Sequence, residues 1–266
     1  MSGTAGSCLT VVDWNVNGFV HRNQAALLAG LEWDVACLQE VTRTSWEEFR
    51  AVGGAGDVAF GYLPPLAGTG PRYGCAVVVR QGVELVDFGV LRDVPSPERA
   101  AVAEVRIDGR RLWVASWAAP PGVTWGRAGK GRQVERFAAW LRDRPGPTVV
   151  GIDRNAPMWE RHVLADDEWW NAHEALLYGV HRVHDLRDTY REYLAGHPEL
   201  AAQLRAKRPD GPLAVTHTRR GIECRYDAIY ASPDFAVAGV DHLWDEARQA
   251  GSDHALVRAV LCSRSS

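Results

Sequence analysis

Apolar runs alternate with polar segments along the first half of the chain, and they predict a series of strands. Leu9–Trp14 and Val35–Leu38 have the character of buried strands, and Asn23–Leu31 between them has the apolar spacing of an amphipathic helix. Asp108-Gly109 predicts a two-residue hairpin turn. The other strands predicted in this half are Cys75–Val79, Val83–Val90, Ala100–Ile107 and Arg111–Ser116. A strand, a helix and a strand are therefore followed by a run of antiparallel strands.

The second half mixes helical and strand-like periods. Arg132–Leu141 places its apolar residues on one helical face, and Pro145-Gly146-Pro147 ends that helix before a strand at Thr148–Ile152. The remaining predictions are helices at Val183–Leu194 and Pro198–Lys207, and strands at Arg225–Ala231, Phe235–Asp241 and Ala255–Leu261. Strand series interrupted by helices in both halves predict an α/β sandwich, two packed sheets covered by helices, as a single domain over residues 1–266. Gly53–Pro71 is predicted to be a loop over an active site.

Composition limits the possible partners. The chain has 266 residues, and its 46% hydrophobic content is sufficient for a large buried core. The formal net charge is -3, whereas dedicated nucleic-acid binders usually carry a basic excess. Binding to a nucleic acid would therefore depend on a local basic patch.

Location is predicted from the ends and the cysteines. The first eight residues lack the pattern of a secretion signal, and no run approaches the roughly 20 apolar residues of a membrane span. The five cysteines are widely spaced, without a Cys-x-x-Cys pair, and three lie in strand-like runs. We therefore expect buried free thiols in a cytoplasmic protein, without a membrane span and monomeric by default.

Polar side chains stand where several predicted strands end. Asn15 and Glu40 follow the first two strands, and they would form a pair if those strands are neighbours. Carboxylate and amide oxygens are ligands that Mg²⁺ accepts while it keeps several waters. A buried strand that ends in Glu is otherwise costly, although a strand end that reaches solvent remains an alternative.

Asp153 and Asn155 leave the strand Thr148–Ile152 together, and strand alternation places both on one side. A carboxylate can accept the proton of an attacking water, and an amide can donate to a phosphoryl oxygen. An Asx turn in a loop is the alternative interpretation.

The polar motifs share one order along the chain. They are Trp14-Asn15-Val16-Asn17-Gly18, Gln39-Glu40, Gly151-Ile152-Asp153-Arg154-Asn155, Arg225-Tyr226-Asp227 and Ser252-Asp253-His254. In this order they resemble the endonuclease/exonuclease/phosphatase superfamily, whose members include deoxyribonuclease I. The resemblance implies a four-layer α/β sandwich of the deoxyribonuclease I type and metal-assisted cleavage of a phosphate ester.

The resemblance also implies roles for the motif residues. It implies that Asn15, Glu40 and Asp253 hold Mg²⁺ or Mn²⁺ or its water, and that Asn17 supports the water shell. A turn at Asn17-Gly18 explains that dipeptide equally well.

The catalytic candidates follow in the same way. The resemblance implies that Asp153 orients or deprotonates the attacking water and that Asn155 hydrogen-bonds the phosphate. It implies that Asp227 holds the phosphate-facing imidazole of His254, which would fix the ring tautomer and raise its pKa. A strand cap with an incidental histidine is the alternative for Ser252-Asp253-His254.

One position departs from the family pattern. Family members usually have His or Tyr after the strand equivalent to Arg111–Ser116, and Ala118 stands there in this chain, or Trp117 after a shift by one residue. Neither side chain transfers a proton. An inactivated variant, a natural relative that uses a good leaving group and a protein recruited to another task all fit this change. His217, interpreted as a surface-loop residue, is the candidate replacement.

The substrate expectation is nucleic acid. Basic residues are interleaved with an aromatic one around two predicted loops, which suits a nucleic-acid backbone or an ordinary solvated face. They are Trp125, Arg127, Lys130 and Arg132, and Arg205, Lys207, Arg208, Arg219, Arg220 and Arg225. Together with these residues, the resemblance implies a phosphodiesterase that acts on DNA or RNA. The alternatives are a weakened or repurposed member that binds a phosphorylated ligand, and an enzyme acting on a small molecule or phospholipid.

Overall fold

The computed structural model describes residues 7–18, 22–52, 58–60, 73–144, 146–156, 160–163 and 172–264. Its strands, in chain order, are β1 (Cys8–Asn15), β2 (Val35–Val41), β3 (Val58–Phe60), β4 (Gly74–Val79), β5 (Glu84–Val90), β6 (Ala100–Ile107), β7 (Arg110–Ala118), β8 (Thr148–Asp153), β9 (Arg187–Asp188), β10 (His217–Arg219), β11 (Ile222–Cys224), β12 (Asp227–Ala231), β13 (Phe235–Leu243) and β14 (Leu256–Ser263). Its helices are α1 (Arg22–Ala29), α2 (Arg43–Val52), α3 (Gly122–Arg142), α4 (Ala172–Tyr178), α5 (Thr189–Gly196), α6 (Pro198–Lys207) and α7 (Trp244–Gln249), with a short 3-10 helix at Pro97–Arg99.

Two six-stranded sheets organise these elements. The first sheet has the strand order β13-β14-β1-β2-β4-β3, and the second has the order β5-β6-β7-β8-β12-β9. Each contains one parallel pair, β1 with β2 and β7 with β8. A helix joins the two strands of each parallel pair, as a parallel connection requires. Strands β10 and β11 form a separate hairpin.

Apolar side chains alternate between the inner and outer faces of both sheets. Val11 and Val77 of the first sheet meet Ala103 and Val149 of the second in one buried cluster. The outer face of the first sheet packs against α1, α2 and α7. The outer face of the second sheet packs against α3 and α4. These layers are the predicted α/β sandwich of two mainly antiparallel sheets flanked by helices.

Local patterns located most elements, and one helix was predicted wrongly. β6 and α6 have the predicted bounds. The predicted helix Val183–Leu194 begins only at Thr189. Asp188, in strand β9, ends the preceding segment by accepting hydrogen bonds from the backbone N–H groups of Tyr190 at 3.1 Å and Arg191 at 3.3 Å. Capping of this kind starts a helix at the residue after the cap.

The prediction of a loop over Gly53–Pro71 is wrong at Val58–Phe60, because these residues form strand β3, which pairs with β4. The rest of that loop, residues 53–57 and 61–71, lies outside the described residues. No helix in the described part of the chain is long and apolar enough to cross a membrane.

The expectation of five free thiols is wrong. Cys8 and Cys262 face each other in the β1–β14 ladder and form a disulfide between residues 254 positions apart. The buried thiols are Cys37, Cys75 and Cys224. Sequence spacing could not reveal this pair because it depends on the chain's ends lying on neighbouring strands. The cytoplasmic location stays a prediction.

Candidate active site

The polar motifs gather at one edge of the sandwich. Asn15 ends β1, Glu40 stands next to the last residue of β2, and Asp153 ends β8. Asp227 begins the antiparallel strand β12 and lies opposite Asp153 in the ladder. His254 directly precedes the segment that enters β14. Strand direction thus brings residues from both sheets, far apart in sequence, to one place.

Asn15 and Glu40 form the first half of the site. Asn15 is buried, its Nδ2 donates to Asp153 Oδ2 at 3.0 Å, and its Oδ1 accepts from the Asn17 backbone N–H at 2.9 Å. The Asn17-Gly18 segment is a tight turn, with φ of 60° and 64°. The backbone of Asn17 therefore orients the Asn15 amide, and the turn interpretation of this dipeptide holds.

The Glu40 carboxyl lies in an anionic setting. Burial raises the pKa of Glu40 and nearby Asp153 raises it further, while His254, Arg99 and a hydrogen bond with Asn15 oppose the rise. Glu40 and Asp153 thus form a pair of neighbouring, largely buried carboxyls with excess negative potential, and Asn15 presents its Nδ2 to Asp153. Such a pair suits a hard divalent cation. The Asp253 carboxylate lies within 4.8 Å of ring nitrogens of His217 and His254.

Asp153 is held by two amides. Besides Asn15, Asn155 donates its backbone N–H to Asp153 Oδ1 at 3.0 Å and its Nδ2 to Asp153 Oδ2 at 3.1 Å. The Asn155 Nδ2 also donates to the Ala119 carbonyl at 2.9 Å, and φ of Asn155 is 48°. The Asx turn considered from sequence is therefore present. It presents a rigid, buried Asp153 carboxylate at the end of β8.

His254 and Asp227 form a buried pair. The His254 Nδ1 lies 3.0 Å and 2.9 Å from the two carboxylate oxygens of Asp227. Because the carboxylate only accepts, Nδ1 carries the hydrogen. Burial lowers the pKa of His254, but the Asp227 carboxylate outweighs burial and the pKa rises to about 10. The Ser252 hydroxyl accepts from the His254 backbone N–H at 3.0 Å and donates to the Asn15 carbonyl at 2.6 Å, which ties this motif to β1.

His217 belongs to the site, so its interpretation as a surface-loop residue is wrong. It begins β10, forms a bridge with His254, and is only partly exposed. Its ring stacks on the His254 ring with centroids 4.4 Å apart, and its Nδ1 donates to the Asp253 carbonyl at 3.2 Å. Burial and the nearby His254 lower the pKa of His217.

Ala118, and not Trp117, faces the site. Ala118 lies opposite Asp153 in the β7–β8 ladder and packs in the cluster between the sheets. Trp117 points to the other face, where it stacks on Phe137 with centroids 4.9 Å apart. Strand β7 therefore contributes a methyl group where a proton-bearing side chain was expected.

Sequence reasoning missed two residues beside Glu40. An Arg99 Nη2 lies 3.5 Å from the Tyr73 hydroxyl, and the guanidinium carbon lies 5.5 Å from the centroid of the Tyr73 ring. Burial raises the pKa of Tyr73, and the Glu40 charge raises it further, so its phenol stays protonated at neutral pH. Tyr73 directly precedes β4 and Arg99 ends the 3-10 helix, so only the fold brings them together.

Some basic residues are structural. Lys130 is buried against Glu174 at 2.6 Å, and Arg225 is buried between Asp188 and Glu160. The exposed basic residues of the predicted clusters are Arg132, Arg205, Lys207, Arg219 and Arg220. The side chains of Trp125 and Arg127 lie outside the described part.

Comparisons with known proteins agree with this architecture. The sequence profile of the Endonuclease/Exonuclease/phosphatase family matches residues 14–254. No curated protein sequence matches the chain. The chain is similar in fold to D. rerio TDP2 complexed with single strand DNA product, with 15% identity, a TM-score of 0.68, and coverage of 97% of this chain and 100% of that one. It is also similar to an endonuclease/exonuclease/phosphatase from Bacteroides vulgatus, with 15% identity, a TM-score of 0.65, and coverage of 97% of this chain and 100% of that one. A third similar structure is the human Nocturnin catalytic domain with bound sulfate anion, with 17% identity, a TM-score of 0.61, and coverage of 97% of this chain and 95% of that one.

Proposed function

The chain belongs to the endonuclease/exonuclease/phosphatase family, and on that premise we propose that it is a divalent-metal-dependent phosphodiesterase acting on nucleic acid. One observation carries the proposal. Ligating atoms of Asp153, Asp227 and His254 lie within 4.8 Å of one another at the strand ends. An oriented carboxylate beside a carboxylate-held imidazole can serve both water activation and phosphate binding.

Asn15 and Glu40 would hold Mg²⁺ or Mn²⁺, with Asp253 supporting its water shell. The neighbouring carboxyls of Glu40 and Asp153 fit a cation, since burial and their mutual repulsion raise the pKa of Glu40. A bound divalent cation supplies Lewis-acid stabilisation of the phosphoryl oxygens.

Asp153 accepts a proton from the attacking water. A carboxylate offers about four acceptor positions. Three of them are occupied, by Asn15 Nδ2, Asn155 Nδ2 and the Asn155 backbone N–H. The remaining position, on Oδ1, can accept a hydrogen bond from a water. The same three bonds restrict the carboxylate to one orientation, which favours an in-line attack.

His254 donates to a phosphoryl oxygen. With Nδ1 committed to Asp227 and a raised pKa, the ring is protonated at neutral pH, and its Nε2–H is a charged donor. The Asn155 Nδ2 donates both of its hydrogens, to Asp153 and to the Ala119 carbonyl. To donate to a phosphate, Asn155 must therefore give up one of these two hydrogen bonds. The Tyr73 phenol, on the Glu40 side, is a second proton-bearing group.

Ala118 supports a second candidate function, that of a protein that binds a phosphorylated ligand without turnover. Its methyl group faces the site beside Asp153 and cannot protonate a leaving group. Loss of a general acid costs roughly two to four orders of magnitude in rate. An active enzyme should therefore depend on a good leaving group or on Tyr73 or His217.

Nucleic acid is the proposed substrate class, with phospholipid or small-molecule esters as alternatives. The D. rerio TDP2 relative was solved with a single-stranded DNA product. In this chain the hairpin β10–β11 starts at His217 and exposes Arg219 and Arg220 at its turn. A hairpin arm of about 10 Å would carry these charges to a phosphate next to the scissile one.

The test compares the parent chain with Ala118→His. Both are assayed with Mg²⁺ and Mn²⁺ on single- and double-stranded DNA, RNA and bis-nitrophenyl phosphate, and cation binding is measured by calorimetry. Metal-dependent cleavage by the parent supports the phosphodiesterase. Cleavage by Ala118→His alone supports the binding function and identifies Ala118 as the disabling residue. If both forms bind the cation and cleave nothing, the phosphodiesterase proposal is wrong.

A further inference from the structure

A polar layer lies directly beneath the candidate active site, between the two sheets. Strand alternation places residues two positions apart on the same face. On each strand, the residue two positions away from a site residue therefore lies directly below the site. Asp13 stands below Asn15, Ser116 below Ala118, and Gly151 below Asp153. This layer interrupts an otherwise apolar interior.

Hydrogen bonds in this layer cross from one sheet to the other. The Gln39 Nε2 donates to Asp13 Oδ1 at 2.7 Å and to Ser116 Oγ at 3.1 Å. The Ser116 hydroxyl, in β7, donates to the Leu38 carbonyl, in β2, at 2.8 Å. All three side chains are fully buried. Two of these three bonds therefore join the sheets directly.

The backbone at Gln39–Glu40 is shaped for this arrangement. The β2–β4 register shifts between Leu38 and Val41, and φ of Glu40 is 56°. Neighbouring residues of a regular strand point to opposite faces, but a bulge re-aims one of them. Gln39 therefore enters the polar layer while Glu40 still reaches the site.

Gly151 leaves room for Asp13. A Cβ at Gly151 would lie 2.5 Å from Asp13 Oδ1 and would also overlap the Cβ of Cys37. The carboxyl thus occupies space that a side chain on β8 would fill. Burial raises the pKa of Asp13 well above its ordinary value, and repulsion from Asp227 adds to this.

We propose that Asp13, Gln39 and Ser116 are positioning residues, a cross-sheet clamp that sets how Glu40 on the first sheet faces Asp153 on the second. Apolar contacts are non-directional and leave small sliding movements of packed sheets open. Hydrogen bonds are directional and resist such movements. The clamp's effect on turnover rests on the proposed phosphodiesterase function, whereas its effect on the sheets does not.

The kinetic test uses Ser116→Ala, which removes both cross-sheet bonds of this layer and leaves the Asn15–Asp153 bond of the site in place. A displacement of reacting groups by about 1 Å can cost about 100-fold in rate. We expect kcat to fall by that order while KM and the Mn²⁺ affinity change less than about threefold. Asp13→Leu should act similarly, and Asp13→Asn, which keeps the acceptor oxygen, should restore the rate.

Ser232→Ala is the matched control. The buried Ser232 hydroxyl accepts from the Thr148 backbone N–H at 3.1 Å, at the opposite end of β8. The control should lose similar stability without losing kcat. Equal kcat losses in Ser116→Ala and Ser232→Ala would mean that Ser116 is only structural.

Thiol labelling tests the clamp without any enzymatic activity. Cys37 and Cys75 lie between the sheets in the same cluster. Both side chains are buried, at 0% and 1% exposure, so a labelling reagent reaches these thiols only when the sheets separate. Under native conditions, Ser116→Ala and Asp13→Leu should label these two thiols at least about tenfold faster, a difference of about 1.4 kcal/mol in the opening equilibrium.

Cys224, on the separate hairpin, serves as the internal reference and should keep its labelling rate. If both variants label Cys37 and Cys75 at the same rate as the parent, the clamp proposal is wrong. If the two variants label these thiols faster and the parent cleaves no phosphodiester, the clamp is supported and the proposed function is rejected instead.

Discussion

Replacing Arg225 by Met should destabilise the protein strongly, because it leaves two buried carboxylates without their main partner. Arg225 is fully buried, and its guanidinium donates to both oxygens of Asp188 at 2.8 Å and 2.7 Å and to Glu160 at 2.9 Å. Removing one partner of a buried ion pair costs about 3–5 kcal/mol. Arg191 remains 2.8 Å from Glu160, so we expect a loss near the lower end, about 3 kcal/mol.

The free energy of unfolding would be measured by urea denaturation followed by circular dichroism. Arg258→Met is the control, since Arg258 makes a 2.7 Å ion pair with Asp241 that is partly exposed. An exposed pair contributes below about 1 kcal/mol. If both variants lost the same small amount, the Arg225 network would contribute no more than a surface pair, and the reasoning from burial would be refuted.

Acid should reduce the difference between the parent and Arg225→Met. Burial raises the pKa of Asp188, but Arg225 outweighs burial and lowers this pKa below its ordinary range. A depressed folded-state pKa contributes stability above the unfolded value, about 3.9, and loses it as the pH falls further. Urea midpoints of parent and variant should therefore converge below about pH 4. A constant gap down to pH 2 would contradict this assignment.

Three further predictions concern the site. Asp227→Asn should lower the pKa of His254 from about 10, because it removes the carboxylate that outweighs burial. The measurement is an NMR titration of the metal-free imidazole, and an unchanged pKa would contradict the assignment. Tyr73→Phe should reduce cleavage of an oligonucleotide by about 100-fold, as expected for a lost proton donor, yet spare bis-nitrophenyl phosphate with its good leaving group. Equal losses on both substrates would exclude that role. The double variant Arg219→Ala, Arg220→Ala should reduce the slope of log binding constant against log salt concentration by about 1.4 for single-stranded DNA. The binding constants would be measured by fluorescence anisotropy. A slope equal to that of the parent would mean that the nucleic acid does not contact these two arginines.

Local patterns were sufficient for much of the fold. The strand Ala100–Ile107 and the helix Pro198–Lys207 each carry their own period and end signals, and both have the predicted bounds. Val183–Leu194 failed because Asp188 caps a later helix start and pairs with Arg225, 37 positions away. Such a partner cannot be recognised from the local period.

Motif order brought the main site residues together, while long-range packing supplied the rest. Asp153, Asp227 and His254 stand at strand ends, where the chain pattern predicts a shared edge. His217 and Tyr73 reach the same place through a bridge and through the strand order, and neither belongs to a motif. Their contribution depends on contacts between elements that the sequence pattern does not encode.

In the mechanism we propose, the site at the strand ends hydrolyses phosphodiesters and Asp153 accepts the proton of the attacking water. The most direct test of this mechanism is single-turnover cleavage of a labelled single-stranded DNA with Mn²⁺, by the parent and by Asp153→Asn. We expect cleavage by the parent and a loss of at least about 100-fold in Asp153→Asn, with Mn²⁺ binding retained. Equal cleavage by the two proteins would contradict this mechanism.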